Sequence, residues 1–344
     1  MSAGEQIWLS GGGLRLAIIA DDLTGALDAA APFADKGLRV RVATRFDALE
    51  AAIAGAGVVA VSTRSREIAP DAARAAVAAA LAGLPAGVRL FKKVDSRLKG
   101  NIAAELAAFA PGPVLAVPAL PEFGRVVKGG AVCGWGVAQP VAVAPVLGRA
   151  AAVPDVATAE EMARAIGQAS GDLIVGARGA AQCLAAAVQG RRGALPALEL
   201  PMVVVVGSTD PITLAQVAEL RAGLPGLRVL SAPDGQCDAL PAPGVTLVQA
   251  IPGRGEAAPQ VAQVLGRAVA RIAQGARSLV LTGGATAEAV LDALDVTVLD
   301  LHGDLQPGLP LSSGGGRRIV TKSGGFGDPQ SVLRLARQAV EAGA

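Results

Sequence analysis

Leu14-Arg15-Leu16-Ala17-Ile18-Ile19-Ala20-Asp21-Asp22-Leu23-Thr24-Gly25 runs from an apolar strand-like segment directly into two carboxylates and a helix start. Leu14–Ala20 reads as a buried strand, and Thr24–Lys36 as a helix that stops at Gly37. The same rhythm continues downstream. Leu38–Thr44, Val58–Ser62, Val88–Val94 and Val114–Val117 read as strands, with Asp71–Leu81 and Asn101–Phe109 as helices between them. Strands that alternate with helices, and that appear as unbroken apolar runs, indicate a parallel sheet covered on both faces.

The pattern lapses over Gly129–Pro154 and resumes with a helix at Thr158–Ser170, a strand at Leu173–Val175 and a helix at Ala180–Val188. Gly190–Pro201, with Arg191, Arg192 and two prolines, reads as a linker. A second set follows: strands at Val203–Val206, Leu227–Ser231, Thr246–Ala250 and Leu279–Leu281, and helices at Ile212–Ala222, Glu256–Gln274, Ala285–Leu294 and Ser331–Ala342. The expectation is two α/β domains with mainly parallel sheets, residues 14–195 and 196–344, with an active-site cleft between them.

Composition removes several classes of function. Lys plus Arg number 31 against 29 Asp plus Glu, a net charge of +2, and aromatics are 2% of the 344 residues. A nucleic-acid binder would show a basic excess and stacking rings. No apolar run approaches the ~20 residues that span a bilayer. Met1–Ser10 lacks the character of a signal peptide, so a cytoplasmic location is expected. The three cysteines Cys133, Cys183 and Cys237 are far apart, and one histidine, His302, leaves little material for a metal site or a catalytic triad. All four read as structural.

Chemistry concentrates at the ends of the expected strands. Asp21 and Asp22 follow the first, where open α/β sheets bind ligands; a carboxylate there can accept a proton from a hydroxyl. Asp22 or Thr24 can also serve simply as a helix cap. Ser62-Thr63-Arg64-Ser65-Arg66 offers two planar guanidinium forks suited to a carboxylate. Lys92-Lys93-Val94-Asp95-Ser96-Arg97 mixes cations, an acid and a hydroxyl, as a polyhydroxylated anion requires. Pro118–Arg125 brings Glu122 and Arg125 to another strand end, and Trp135 stands in Cys133-Gly134-Trp135-Gly136. In the second half, Gly207-Ser208-Thr209, Thr282-Gly283-Gly284-Ala285-Thr286 and Thr321-Lys322-Ser323-Gly324-Gly325-Phe326-Gly327 are turns whose backbone amides can approach phosphate. None is a Walker loop, and no dinucleotide fingerprint follows the first strand, which argues against a Rossmann oxidoreductase.

In combination and order, Ala20–Gly25, Lys92–Leu106, Pro118–Arg125, Gly207–Gln216, Leu281–Val290 and Val320–Gly327 resemble the four-carbon acid sugar kinase family. The resemblance implies ATP-dependent phosphorylation of the terminal hydroxyl of a threonate, erythronate or oxo-tetronate. The N-terminal domain would bind the acid and the C-terminal domain would bind ATP, with Mg2+. Carried onto this chain, the acid site draws on Asp21, Asp22, Arg64, Arg66, Lys93, Asp95 and Ser96. Arg66 and Lys93 would fix the substrate carboxylate, with Arg64 a competitor for that role, and Asp22 or Asp95 would be the base. The nucleotide site draws on Ser208, Gly283, Gly284, Ala285, Thr286, Lys322, Gly324, Gly325 and Gly327, with Lys322 neutralising phosphate. Ala285 stands where the family carries an acid, and Gly176-Ala177-Arg178-Gly179 where it carries Gly-Ser-x-Gly. These departures keep a non-catalytic sensor as the alternative. Oligomeric state is left open, a homodimer included.

Overall fold

The computed structural model describes residues 13–169, 173–255 and 258–343. Met1–Ser10, Ser170 and Glu256 lie outside the described residues. The chain divides into two compact units, Met1–Arg192 and Gly193–Ala344.

In the first unit, β1 (Leu16–Ala20) leads to α1 (Leu23–Asp35), β2 (Val40–Ala43), α2 (Leu49–Ile53), β3 (Val58–Ser62) and α3 (Pro70–Ala82). Next come β4 (Arg89–Lys93), α4 (Ile102–Leu106) and β5 (Val114–Val117). A short antiparallel excursion follows: β6 (Arg125–Lys128), β7 (Ala131–Gly134) and β8 (Val141–Ala142), then α5 (Val143–Leu147). The unit closes with α6 (Ala159–Gln168), β9 (Leu173–Gly176) and α7 (Arg178–Ala186). Its parallel sheet has the order β2-β3-β1-β4-β9-β5. Every residue of β1 is buried, which is why that strand is a continuous apolar run. Because β3 and β4 flank β1, the chain reverses its direction of travel there, and the carboxyl end of β1 becomes a switch point.

The aperiodic reading of Gly129–Pro154 is corrected by this three-stranded meander. Its strands are two to four residues long, too short to display a period. Gly129 and Gly130, at φ 57° and 72°, form the two-residue turn that pairs Lys128 with Ala131. Two successive positive φ values are what a tight hairpin turn demands.

The second unit runs β10 (Met202–Val206), α8 (Pro211–Gly223), β11 (Arg228–Pro233), β12 (Val245–Ile251), α9 (Ala258–Ile272), β13 (Ser278–Thr282) and α10 (Gly284–Ala293). It ends with β14 (Val298–Gln306), β15 (Leu309–Gly314), β16 (Arg317–Lys322) and α11 (Ser331–Ala342). The order β11-β12-β10-β13-β16-β15-β14 is parallel through β16 and antiparallel beyond it. Again β10, flanked by β12 and β13, marks the switch point. The meander β14–β16 is unassigned in the sequence reading, and it makes this sheet mixed.

Candidate active site

At the end of β1, Asp22 accepts from the Gly25 amide at 2.7 Å and so caps α1. It accepts also from the Thr24 hydroxyl at 3.1 Å and from Arg66 Nη1 at 2.6 Å. Cap and charged partner are therefore the same residue. Gly25 allows this close approach, since a Cβ there would lie 2.5 Å from Asp22 Oδ1 and 3.1 Å from Lys93 Nζ.

Arg66, beyond β3, donates from Nε to Asp21 Oδ2 at 2.7 Å and from Nη2 to Asp21 Oδ1 at 2.9 Å. One guanidinium thus spans both carboxylates. Burial is the largest influence on Asp21 and would raise its pKa, but Arg66, Lys92 and Lys93 together hold it below the ordinary value. For Asp22 burial dominates and, with the neighbouring Asp21 charge, raises the pKa against the pull of Arg66 and Lys93. Adjacent acids are driven in opposite directions, the arrangement that separates a fixed anion from a proton acceptor.

Arg64 takes a different course. At φ 51° its side chain turns so that Nε donates to the Thr44 carbonyl at 3.0 Å, and only Arg66 joins the twin acids. Beneath the site, Lys92 is fully buried and pairs with Glu105 of α4 at 2.8 Å. The Ser65 hydroxyl donates to Glu105 at 2.5 Å, and the Ser65 amide donates to the Asp21 carbonyl at 3.0 Å. This chain of bonds fixes the loop after β3 against the end of β1. Lys93, next in sequence to Lys92, is buried on the site side beside Asp22.

After β4, Asp95 accepts from the Arg97 amide at 2.8 Å in a tight turn, and its charge acts on both Arg66 and Arg125. Ser96 accepts from Arg125 Nη1 at 2.5 Å. Arg125, on β6, stands outside the set of acid-site residues that the resemblance implies. The signal for it was its place after an apolar strand in Pro118–Arg125. Its Nε donates to the Trp135 carbonyl at 3.0 Å and its guanidinium lies 4.9 Å from the Trp135 ring centroid. Trp135 in turn stacks on Phe123 at 5.3 Å. Glu122 points elsewhere, toward Arg178 at 3.9 Å and Gln182 at 3.3 Å. Arg178, in the altered Gly-Ser-x-Gly turn, is buried and pairs with Asp28 of α1 at 2.8 Å.

In the second unit three turns converge at the carboxyl ends of β10, β13 and β16. A Cβ on Gly207 would lie 2.0 Å from Thr286 Oγ1, and one on Gly324 would lie 2.7 Å from Ser208 Oγ. Gly283, at φ 91°, donates its amide to the Lys322 carbonyl at 2.8 Å and opens α10. Gly284 and the exposed Ala285 follow at that helix start. Such a floor of small residues and free helix-terminal amides admits phosphate.

Lys322 is placed differently from the phosphate-neutralising role expected of it. Buried, it donates to Thr213 Oγ1 at 3.1 Å and to the carbonyls of Ser323, Gly324 and Phe326 at 3.0, 2.8 and 3.1 Å. It organises the loop holding Gly324, Gly325 and Gly327. Burial lowers its pKa to about 8. Asp210 caps α8 through Oδ1 at 2.9 Å and turns Oδ2 toward Gly325.

His302 bonds Ser313 at 2.7 Å within the meander, and Cys133, Cys183 and Cys237 are not joined in disulfides. Among the described residues no cluster of three His, Cys, Asp or Glu could hold a metal, and no helix is long and apolar enough to cross a membrane.

Comparison with known proteins places a sugar-binding N-terminal domain over residues 16–230 and a nucleotide-binding C-terminal domain over residues 241–332. A D-threonate kinase of Cupriavidus necator is 33% identical over 408 aligned positions, covering 94% of this chain and 97% of that protein. A D-threonate kinase of Bordetella bronchiseptica is 34% identical over 403 positions, covering 96% and 98%. A solved Salmonella typhimurium LT2 protein superposes with a TM-score of 0.73 at 19% identity, covering 96% of this chain and 100% of that one. That likeness speaks to the fold.

Proposed function

The chain belongs to the four-carbon acid sugar kinase family, and on that premise we propose that it phosphorylates the terminal hydroxyl of a four-carbon sugar acid with ATP. D-threonate is the first substrate to expect, since two near-full-length relatives carry that activity in their names. The observation that carries the reading is the double switch point. One sheet presents paired acids and cations at its carboxyl edge, and the other presents three small-residue turns.

Phosphoryl transfer is mainly a matter of positioning and charge. Asp22, with its raised pKa, accepts the proton of the attacking hydroxyl, while Asp21 stays ionised under Arg66 and holds the fork in place. Asp95, Ser96 and Lys93 read the remaining hydroxyls. Ser208, Gly283, Gly284, Ala285, Thr286, Gly324, Gly325 and Gly327 line the phosphate side.

Magnesium is commonly held by one or two carboxylates and the substrate phosphates. Asp210 is the carboxylate suited to that ion here, because Oδ2 faces Gly325 and Ala285 supplies no acid. When bound, the ion would offset the charge of the triphosphate.

An ADP-release assay with Mg-ATP and a panel of D-threonate, L-threonate, erythronate and 3-oxo-tetronate tests the reading. Saturable ADP release with one acid supports it. Tight ATP binding with no acid-dependent release would return the protein to the sensor alternative.

A further inference from the structure

A sugar acid brings a carboxylate, and the acid site must supply a cation for it. Arg66 already balances two acids: three of its five N–H donors are held by Asp21 and Asp22. Lys92 is paired with Glu105, and Arg178 with Asp28. Arg64 is turned to the Thr44 carbonyl. Of the buried cations of the first unit, Lys93 and Arg125 have no ion-pair partner among the described residues. Lys93 lies beside Asp22, at the proton-accepting end of the site.

Arg125 is 3% exposed. Nε and Nη1 are spoken for by the Trp135 carbonyl and by Ser96. Buried Nη2 donates to no acceptor in the protein. Leaving a charged donor buried and unmade is costly, and such groups call for an explanation. The explanation stands next to it. A Cβ on Gly136 would lie 2.8 Å from Nη2 and within 4 Å of nothing else outside its chain neighbours. Gly136 therefore passes close to Nη2 and has no side chain that could satisfy it. Gly136 itself is exposed. Burial, followed by the Arg97 charge, lowers the Arg125 pKa, and Asp95 only partly offsets them. The guanidinium is an under-compensated cation next to an acid that reads hydroxyls.

We propose that Arg125 is the carboxylate receptor of the sugar acid, with its unpaired Nη2, beneath Gly136, as the donor to one carboxylate oxygen. The proposal rests on the kinase reading and deepens it. It makes the β6–β8 meander the specificity element, because both Arg125 and Gly136 belong to it. The acid then extends from Arg125, past Asp95 and Ser96, to its terminal hydroxyl at Asp22.

The test compares each acid with the tetritol of matching stereochemistry, which has a hydroxymethyl group in place of the carboxylate. Steady-state kinetics and calorimetric binding are measured on the wild type, Arg125→Met, Arg125→Lys and Gly136→Ala. Expected for Arg125→Met is a rise of roughly 30-fold or more in KM and Kd for the acid, the scale of one lost buried charge partner. Values for the tetritol should stay within about threefold, since that ligand brings no charge to lose. Arg125→Lys should recover part of the acid affinity, and Gly136→Ala should weaken the acid selectively. Equal losses for acid and tetritol in Arg125→Met would overturn the proposal, because a merely structural arginine would act so. Unchanged acid affinity would overturn it as well. If the wild type binds acid without phosphorylating it, the kinase reading fails while the binding arm still decides the role of Arg125. If the wild type binds no acid, both fall.

Discussion

Arg66 grips Asp21 with two parallel bonds, Nε to Oδ2 at 2.7 Å and Nη2 to Oδ1 at 2.9 Å, and leaves only Nη1 for Asp22. The bidentate pair makes Asp21 the permanent anion. The single bond, together with burial, leaves Asp22 as the more basic of the two.

That division predicts a pH profile. Asp22 must be ionised to accept a proton, and its pKa is raised above the ordinary 3.8. As pH falls through the raised value, kcat/KM should decline with an inflection above 3.8. Asp22→Asn should lower turnover by about 10²–10⁴-fold. An inflection at or under the ordinary aspartate range, or a fast Asp22→Asn enzyme, would assign the proton to Asp95 instead.

Gly25→Ala forces a methyl group to within 2.5 Å of Asp22 Oδ1 and 3.1 Å of Lys93 Nζ. Overpacking of this kind costs about 1–3 kcal/mol. The displaced atoms belong to the site, so kcat should fall by more than tenfold while nucleotide KM stays near wild type. A substrate-independent drop in melting temperature with normal kcat would show that Asp22 tolerates the shift.

The Lys92–Glu105 pair is buried at both ends, 0% and 1% exposed. Glu105→Ala would leave an ammonium unpaired in the core, a loss of about 3–5 kcal/mol. Lys92→Met/Glu105→Gln removes both charges and retains an acceptor for Ser65. Urea denaturation should find this double variant closer to wild-type stability than Glu105→Ala. The reverse ranking would mean that the pair stabilises the fold outright.

Lys322 yields a stability slope. Its folded pKa is about 8 against an ordinary 10.5, so between those values the unfolded chain binds a proton that the folded chain has released. Stability must then increase with pH across that window, by at most on the order of 3 kcal/mol. Urea midpoints from pH 7.5 to 10.5 should show a rise in the wild type that Lys322→Met lacks. Parallel curves would indicate that the four oxygen acceptors keep the ammonium charged throughout.

Much of this architecture is legible in the chain itself. Val58–Ser62, Val114–Val117 and Ser331–Ala342 have the limits their apolar periodicity predicts, because buried strands and amphipathic helices write their periods into the residues. The meanders at Arg125–Ala142 and Val298–Lys322 do not announce themselves. The first has strands of two to four residues, the second mixes buried and partly buried positions without a clean alternation, and both are specified by turns such as Gly129-Gly130 and Gly315-Gly316, where both φ values are positive. Asp21, Asp22 and Arg66 are legible as chemistry at strand ends. Their mutual pairing is not, since it joins residues 45 positions apart through a sheet order that no local pattern reveals. Lys322 likewise looks like a phosphate ligand until the carbonyls around it are seen. Arg125 lies on an element hidden from periodicity.

The chain contains two tryptophans, Trp8 and Trp135, and no tyrosine. Trp135 is 45% exposed, and its ring lies 4.9 Å from the guanidinium of Arg125. With Trp8 replaced by Phe, ultraviolet emission comes from one indole whose excited state is sensitive to the charge beside it and to the surrounding solvent. The specificity element thus carries its own fluorophore. Arrival of an anion at Arg125 can be timed in a stopped-flow instrument without any label, separately from the phosphoryl transfer that follows.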